Sequence, residues 1–225
     1  MECARSQVGS QEGLKSNLDL PYDAGGTGDE EVEAPAILAF YGKAYEANAV
    51  VFALDESGSM SNQGRWELQL SEVTRSIHEL TSDSDFGVVY YGSRVTAFRR
   101  ESPVKAGTSA KVAGVGFVTS HQPTGDTCIA EGVIKALQIV RQSASRYRAV
   151  IVTSDGRPDL CATGKRATPK EAVQLLQRTR AANPDGFGQG VHTVFVGSST
   201  EKDAIGFMRS LAQLHNGTFR LLGGS

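Results

Sequence analysis

Ala49-Val50-Val51-Phe52-Ala53-Leu54 (AVVFAL) is an unbroken apolar run that stops at Asp55. A run of that length without polar alternation reads as a strand buried on both faces, as in parallel sheets whose two sides are covered by helices. Ala149-Val150-Ile151-Val152 (AVIV) repeats the pattern and leads through Thr153 and Ser154 into Asp155. Two buried strands that each end on a carboxylate set the frame for the segments around them.

Outward from AVVFAL, Trp66, Leu70, Val73, Ile77 and Leu80 recur at helical intervals and predict an amphipathic helix crossing back over the sheet. Phe86–Tyr91 (FGVVYY) predicts a second strand. The gap at Gly92-Ser93 before Val95–Phe98 (VTAF) is too short for a parallel crossover, so that strand is expected to be antiparallel at the sheet edge. Thr108 to about Ser120 reads as a short helix weakened by Gly114 and Gly116. Ile129, Val133, Ala136, Leu137 and Val140 form another helical stripe ahead of AVIV. Thr168-Pro169-Lys170-Glu171 combines an N-cap threonine, a proline at the first helical position and a glutamate at the third, and starts a helix running to about Ala182. The turn Asn183–Gly186, a strand Val191–Val196, a helix carrying Ile205, Met208 and Leu211, and a strand Thr218–Leu222 complete the pattern. Alternating strands and helices predict an α/β fold: a doubly wound, mostly parallel sheet with one antiparallel edge strand and helices on both faces, Rossmann-like in organisation.

The chain has 225 residues, within reach of one large domain. Residues 1–35 are rich in Gly, Ser, Asp and Glu and poor in large apolar side chains, which predicts a disordered acidic N-terminal tail or linker, or a coil lying along the surface; residues 36–225 are the expected domain. A net charge of −2 shows no basic excess of the kind that tracks phosphate backbones, so nucleic acid is not an expected partner. No apolar run approaches the roughly 18 residues of a membrane-spanning helix, and the opening stretch MECARSQVGSQEGLKSN lacks a signal-peptide core. The chain therefore reads as soluble and not membrane-inserted, with its compartment undetermined. Cys3, Cys128 and Cys161 are too few for a disulfide scaffold and lack metal-cluster spacing. The four histidines show no paired spacing, which disfavours a zinc site built on imidazoles; His121 reads as an exposed loop residue.

In a doubly wound sheet, ligands sit beyond the carboxyl ends of the strands at the point where the winding reverses. Three segments place oxygen-bearing side chains there: Asp55, Ser57 and Ser59 after the first strand, Thr127 at the start of a helix, and Asp155 after AVIV. Alternate residues of an extended or turning segment point the same way, so Asp55, Ser57 and Ser59 can face one ion while Gly58 lets the backbone curl. Carboxylates and hydroxyls are hard ligands suited to Mg2+, Mn2+ or Ca2+, with Mg2+ the default. Without an ion, two carboxylates about 6 Å apart would repel by roughly 3 kcal/mol at an effective dielectric near 20.

The segments ALDESGSM, TGDTCIAEGV and IVTSDG together resemble the Asp-x-Ser-x-Ser, Thr and Asp elements of von Willebrand factor type A domains, over about Ala49 to Leu222. The resemblance implies a metal-ion-dependent adhesion site formed by Asp55, Ser57, Ser59, Thr127 and Asp155. In such domains the two serines and the threonine commonly ligate the ion directly and the aspartates act through waters. One position is left for an Asp or Glu of a protein partner, and the module is expected to be part of a larger assembly. The sequence departs from the family where TGDT stands in place of a Gly-rich GGGT, which sets Asp126 beside Thr127 and predicts a stiffer or more acidic loop. Glu56 and Asp159 are expected near the rim, where they would disfavour a strongly acidic partner surface. Cys128 and Cys161 flank this region; two separate thiols are expected, with a bracing disulfide as the alternative in an oxidising compartment.

Three functions fit these residues. A metal-dependent protein-binding module accounts for the complete oxygen set and is preferred to an enzyme. A magnesium-dependent phosphoryl-transfer enzyme is the second reading, opposed by the lack of Asp-x-Asp after the first strand, of G-x-x-x-x-G-K-[ST] and of G-x-S-x-G; a receiver domain would need an Asp where Gly92 stands. The third is a scaffold whose ion is purely structural. Asn216-Gly217-Thr218 has the form of a glycosylation sequon but reads first as a helix cap and turn.

Overall fold

The computed structural model describes residues 33–184, 186 and 189–223. These run in order through β1 (Ile37–Phe40), β2 (Lys43–Glu46), β3 (Ala49–Asp55), α1 (Arg65–Glu79), β4 (Asp85–Tyr91), β5 (Val95–Phe98), β6 (Val104–Lys105), α2 (Thr108–Thr119), α3 (Ile129–Val140), β7 (Arg148–Ser154), β8 (Asp159–Leu160), β9 (Lys165–Arg166), α4 (Pro169–Ala181), β10 (Gln189–Val196), α5 (Lys202–Leu214) and β11 (Phe219–Leu222). A 3-10 turn over Gly58–Gly64 separates β3 from α1. Of the expected tail, residues 1–32 lie outside the described residues, whereas the Glu33 carboxylate accepts hydrogen bonds from Asn48 Nδ2 (2.8 Å) and the Arg146 backbone N–H (2.8 Å).

The main sheet has the order β11-β10-β7-β3-β4-β5, with β6 also pairing with β4. The pairs β11/β10, β10/β7, β7/β3 and β3/β4 are parallel, and β5 and β6 run antiparallel to β4. This is the expected architecture. From β3 the chain adds β4 on one side and then returns to add β7 on the other, so the winding reverses between β3 and β7. Leu54 is in register with Thr153, which brings Asp55 and Asp155 to the same end of the sheet at that reversal.

Strand alternation divides the core into two layers. Val50, Phe52 and Leu54 of β3 pack with Trp66, Val73 and Ile77 of α1 and Val118 of α2. Val51 and Ala53 face the opposite way and pack with Val133, Ala136 and Leu137 of α3, together with Leu175 of α4 and Met208 and Leu211 of α5. One of the two glycines that weakened the helical signal in α2 has a packing cause: a Cβ on Gly114 would lie 2.7 Å from the Phe86 ring, so only glycine lets this helix approach the sheet so closely, whereas a Cβ on Gly116 would meet open space.

The N-terminal hairpin of β1 and β2 is a feature the sequence reading did not resolve. Its turn places Tyr41 (φ 48°) and Gly42 (φ 69°) in the left-handed region, the requirement of a tight two-residue hairpin turn. Leu38, Phe40 and Tyr45 are buried in the α1-side layer, with Phe40 5.4 Å from the Phe52 ring. The capping box of α4 forms as expected: Thr168 accepts from the Glu171 N–H, and the Thr168 N–H donates to Glu171 Oε2 at 2.8 Å. Asn216 (φ 55°) and Gly217, whose N–H donates to the Ala212 carbonyl at 2.8 Å, form the cap of α5.

Candidate metal centre

β3 ends on Asp55, which is fully buried. Asp55 Oδ1 accepts from the Ser57 N–H at 2.7 Å, and Oδ2 accepts from Ser154 Oγ at 2.6 Å. Gln69, buried on α1, donates from Nε2 to the Asp55 carbonyl at 3.0 Å and accepts from Thr153 Oγ1. A single carboxamide thus fastens the ends of β3 and β7 to one helix. Ser57 Oγ and Ser59 Oγ lie 3.1 Å apart, and Ser59 Oγ donates to Asp155 Oδ1 at 2.7 Å.

The Thr127 loop docks on this strand end through backbone bonds, Gly58 N–H to the Gly125 carbonyl (3.1 Å) and Thr124 N–H to the Glu56 carbonyl (2.6 Å). Asp159 holds Thr127 from the other side: its Oδ2 accepts from the Thr127 N–H at 2.9 Å and its own N–H donates to the Thr127 carbonyl at 3.0 Å. Thr127 Oγ1 and Ser59 Oγ both border Gly156, at 3.7 and 3.9 Å from where a Cβ would stand. The structure therefore gathers all five expected residues: Asp55, Ser57, Ser59 and Asp155 by hydrogen bonds, and Thr127 across Gly156.

The electrostatics are uneven. Burial, reinforced by the charge of Asp155, pushes the Asp55 carboxyl up to about 7. Among the described residues no cationic side chain pairs with Asp55, whereas Asp155 Oδ2 accepts from Arg65 Nη1 at 2.6 Å. Burial also raises Glu56, half-buried beside the site, to about 7. Below Asp55 the fully buried Tyr91 donates its hydroxyl to the Thr153 carbonyl at 2.5 Å. Gly132 of α3 makes room for that ring, since a Cβ there would lie 2.5 Å from Tyr91 Cδ1.

The rim differs from expectation. Asp159 is only 7% exposed, and its charge is met by Arg166 Nε at 3.2 Å. Asp126 engages Ser93, accepting from its Oγ at 3.0 Å. Half-exposed Arg157 and Arg166 border the cavity next to Asp155. His121 is half-buried rather than a free loop residue, with its ring 4.3 Å from Tyr90 and its Nε2 3.1 Å from Thr96 Oγ1. Cys128 and Cys161, expected as separate thiols, are joined as a disulfide with a Cα–Cα distance of 5.3 Å. This bridge ties the residue after Thr127 to the loop after Asp155.

Arg65, Gln69 and Ser154 were not singled out for the site by sequence reasoning, and Asp159 was expected only at the rim, whereas it holds Thr127. One signal was legible. Arg65 is the first residue of α1, where the helix dipole disfavours a cation, so a nearby carboxylate was to be sought.

Residues 50–157 match the family model of the von Willebrand factor type A domain. No curated protein matches the chain. Among solved structures it is similar to a von Willebrand factor type A protein from Catenulispora acidiphila, with 17% identity and a TM-score of 0.63 over 80% of this chain and 40% of that one. The von Willebrand factor domain of the type V pili tip protein Mfa5 from Porphyromonas gingivalis is 13% identical, with a TM-score of 0.60 over 76% of this chain and 88% of that one. Proximal thread matrix protein 1 from the mussel byssus, in a form with a zinc-occupied adhesion-site motif, is 17% identical, with a TM-score of 0.50 over 77% of this chain and 41% of that one. The present chain thus spans less than half the length of two of these three neighbours. At these identities the likeness establishes the fold. The matched segment runs from β3 to just past Asp155, taking in both strand ends at the reversal of winding, so residues 50–157 match the von Willebrand factor type A domain in sequence and the described domain shares its fold.

Proposed function

We propose that this domain is a metal-dependent protein-binding module, whose ion is held at Asp55, Ser57, Ser59, Thr127 and Asp155 and takes an Asp or Glu carboxylate of a partner protein. The observation that carries the reading is the 3.1 Å separation of Ser57 Oγ and Ser59 Oγ beside two buried carboxylates. Adjacent ligands of an octahedral Mg2+ with bonds of about 2.1 Å stand about 3.0 Å apart, so the two hydroxyls span one edge of such a polyhedron. The uncompensated burial of Asp55 supports the same reading, because a divalent cation supplies the positive charge that no described side chain brings to it.

An ion held there would act as a Lewis acid toward one incoming carboxylate. This chain's residues do the rest. Ser57, Ser59 and Thr127 contribute neutral oxygens that leave the ion electrophilic; Asp55 and Asp155 hold the charge; Gln69 and Asp159 keep the three segments in place. The hard oxygen set favours Mg2+ or Mn2+, with Ca2+ as a further candidate, and the zinc-occupied motif of the mussel protein makes Zn2+ the competitor to test. Two solved neighbours belong by name to a pilus tip and to a byssal thread, and membership in a larger assembly is part of the proposal.

The test is calorimetric titration with Mg2+, Mn2+, Ca2+ and Zn2+, followed by affinity capture of partners from the native source in Mg2+ and in EDTA. Capture is expected only with metal and is expected to be lost in Asp55→Ala. Capture that survives EDTA would overturn the mechanism. Metal-dependent hydrolysis of a generic phosphoester would replace binding by turnover, and metal that stabilises the fold while no acidic ligand adds to the effect would make the ion purely structural.

A further inference from the structure

Arg65 is placed against two ordinary preferences, and its neighbour Gln63 against a third. Arg65 opens α1, where the partial positive charge of the helix end disfavours a cation. Its long side chain is only 12% exposed, unusual for arginine unless paired. Gln63, whose Oε1 accepts from Arg65 Nη2 at 3.1 Å, holds a left-handed backbone (φ 55°) that costs a non-glycine residue energy. What Arg65 meets in return is Asp155 Oδ2, at 2.6 Å, on a carboxylate whose other oxygen already accepts from Ser59 Oγ. Both oxygens of Asp155 are therefore engaged, one of them by a fixed positive charge, while Asp55 opposite has no cationic partner among the described residues.

We infer that Arg65 is the internal counter-cation of the metal site: by pairing with Asp155 it competes with the divalent ion for that carboxylate and holds the metal affinity below what the oxygen set alone would give. The inference rests on the metal-site reading above. The guanidinium does two opposed things. It neutralises Asp155 when no ion shares that charge, which stabilises the fold, and it repels a divalent cation brought within a few ångströms, which weakens the complex. A partner carboxylate completing the ion's coordination adds negative charge and offsets this repulsion, so Arg65 makes metal binding more dependent on the partner's arrival. Arg65 is in this sense a positioning and affinity-setting residue rather than a ligand.

The experiment titrates wild type, Arg65→Gln and Arg65→Lys with Mn2+, reading the free ion by electron paramagnetic resonance, with Mg2+ measured by competition and thermal stability measured in EDTA. Arg65→Gln is expected to bind Mn2+ roughly tenfold tighter or more, having lost the repelling charge. Arg65→Lys, which keeps that charge, is expected to stay within about threefold of wild type. In EDTA, Arg65→Gln is expected to melt below wild type, with the gap closing at saturating Mn2+. A residue of merely structural value would lower stability without tightening the metal. If wild type binds Mn2+ and Arg65→Gln binds equally or more weakly, the counter-cation role is overturned and the metal site stands. If neither wild type nor either variant binds Mn2+, the metal-site reading fails and the inference fails with it.

Discussion

Replacing Asp55 by Asn removes a fully buried carboxylate while keeping its shape. The asparagine Oδ1 can still accept from the Ser57 N–H, and its Nδ2 can donate to Ser154 Oγ, whose hydroxyl is free to rotate. In the metal-free protein, burial and the nearby Asp155 charge raise the Asp55 carboxyl from 3.8 to about 7. The folded protein then binds this proton more tightly than the unfolded chain does. The stability present below pH 3.8 is lost as pH rises through about 7, and at pH 8 the ionised group costs folding about 4 kcal/mol. Asparagine carries none of that cost. In EDTA at pH 8 the variant is therefore expected to be more stable than the parent by up to about 4 kcal/mol, or roughly 8–16 °C in Tm at this size. The gap should close as pH falls toward 4. Saturating Mg2+ should raise the parent's Tm and leave the variant's unchanged. Urea melts from pH 4 to pH 8, with EDTA and with Mg2+, read both effects. A variant less stable than the parent at pH 8 in EDTA, or a gap that ignores pH, refutes the buried-charge reasoning; a variant that gains as much from Mg2+ as the parent does refutes the ligand role.

Other outcomes are expected from neighbouring features. Gly132→Ala drives a Cβ to 2.5 Å from the buried Tyr91 ring, and with backbone on one side and a hydrogen-bonded tyrosine on the other it should cost about 3 kcal/mol in urea denaturation; an unchanged midpoint would show that α3 shifts freely. Reducing Cys128–Cys161 opens a loop with a sequence separation of 33 and should cost about 4 kcal/mol, measured as melts with and without a phosphine reductant; coincident curves would mean the bridge does not form in solution. His215 is buried between Thr179 and Asn183, and burial, aided by Arg180, lowers it to about 4. The unfolded chain then takes up this proton first, so stability should fall as pH drops from about 6.5 toward 4, by up to about 3 kcal/mol. Because Asp55 works in the opposite direction over the same range, the comparison of His215 with His215→Gln belongs in the Asp55→Asn background, where an identical pH slope in both proteins would dismiss the assignment.

The sheet was legible because its information is local. AVVFAL and AVIV declare themselves as strands covered on both faces, and Thr168 to Glu171 spells out a helix start, each within a few residues. The five oxygen-bearing residues were legible as a set because each falls at an element boundary that this topology brings to one end of the sheet. Other determinants are created by the fold itself. Arg65 shows no more than an ill-placed charge at a helix start until it meets Asp155, 90 positions away, and Gln69 reads as a polar intrusion on an apolar face until its two ends reach Asp55 and Thr153, 84 positions apart from it in the second case. Gly114 weakened the helical signal because closeness to Phe86, not local propensity, decides that position. The β1–β2 hairpin escaped because four-residue strands carry too few alternations to stand out, and the disulfide because spacing alone cannot fix the distance between two Cα atoms.

The borders of the main sheet carry a consequence for how such a domain joins others. On one side β4 is bordered by β5 and β6 in tandem, four residues and two residues long, with a break between them; on the other side β11 offers four residues. Among the described residues these flanks thus present unpaired backbone amides and carbonyls only in short stretches, too brief to template a ribbon with a neighbouring molecule. Growth of the sheet from chain to chain is discouraged at both flanks, which leaves the proposed docking to the loop-bearing end, where specificity would be written in side chains instead of backbone.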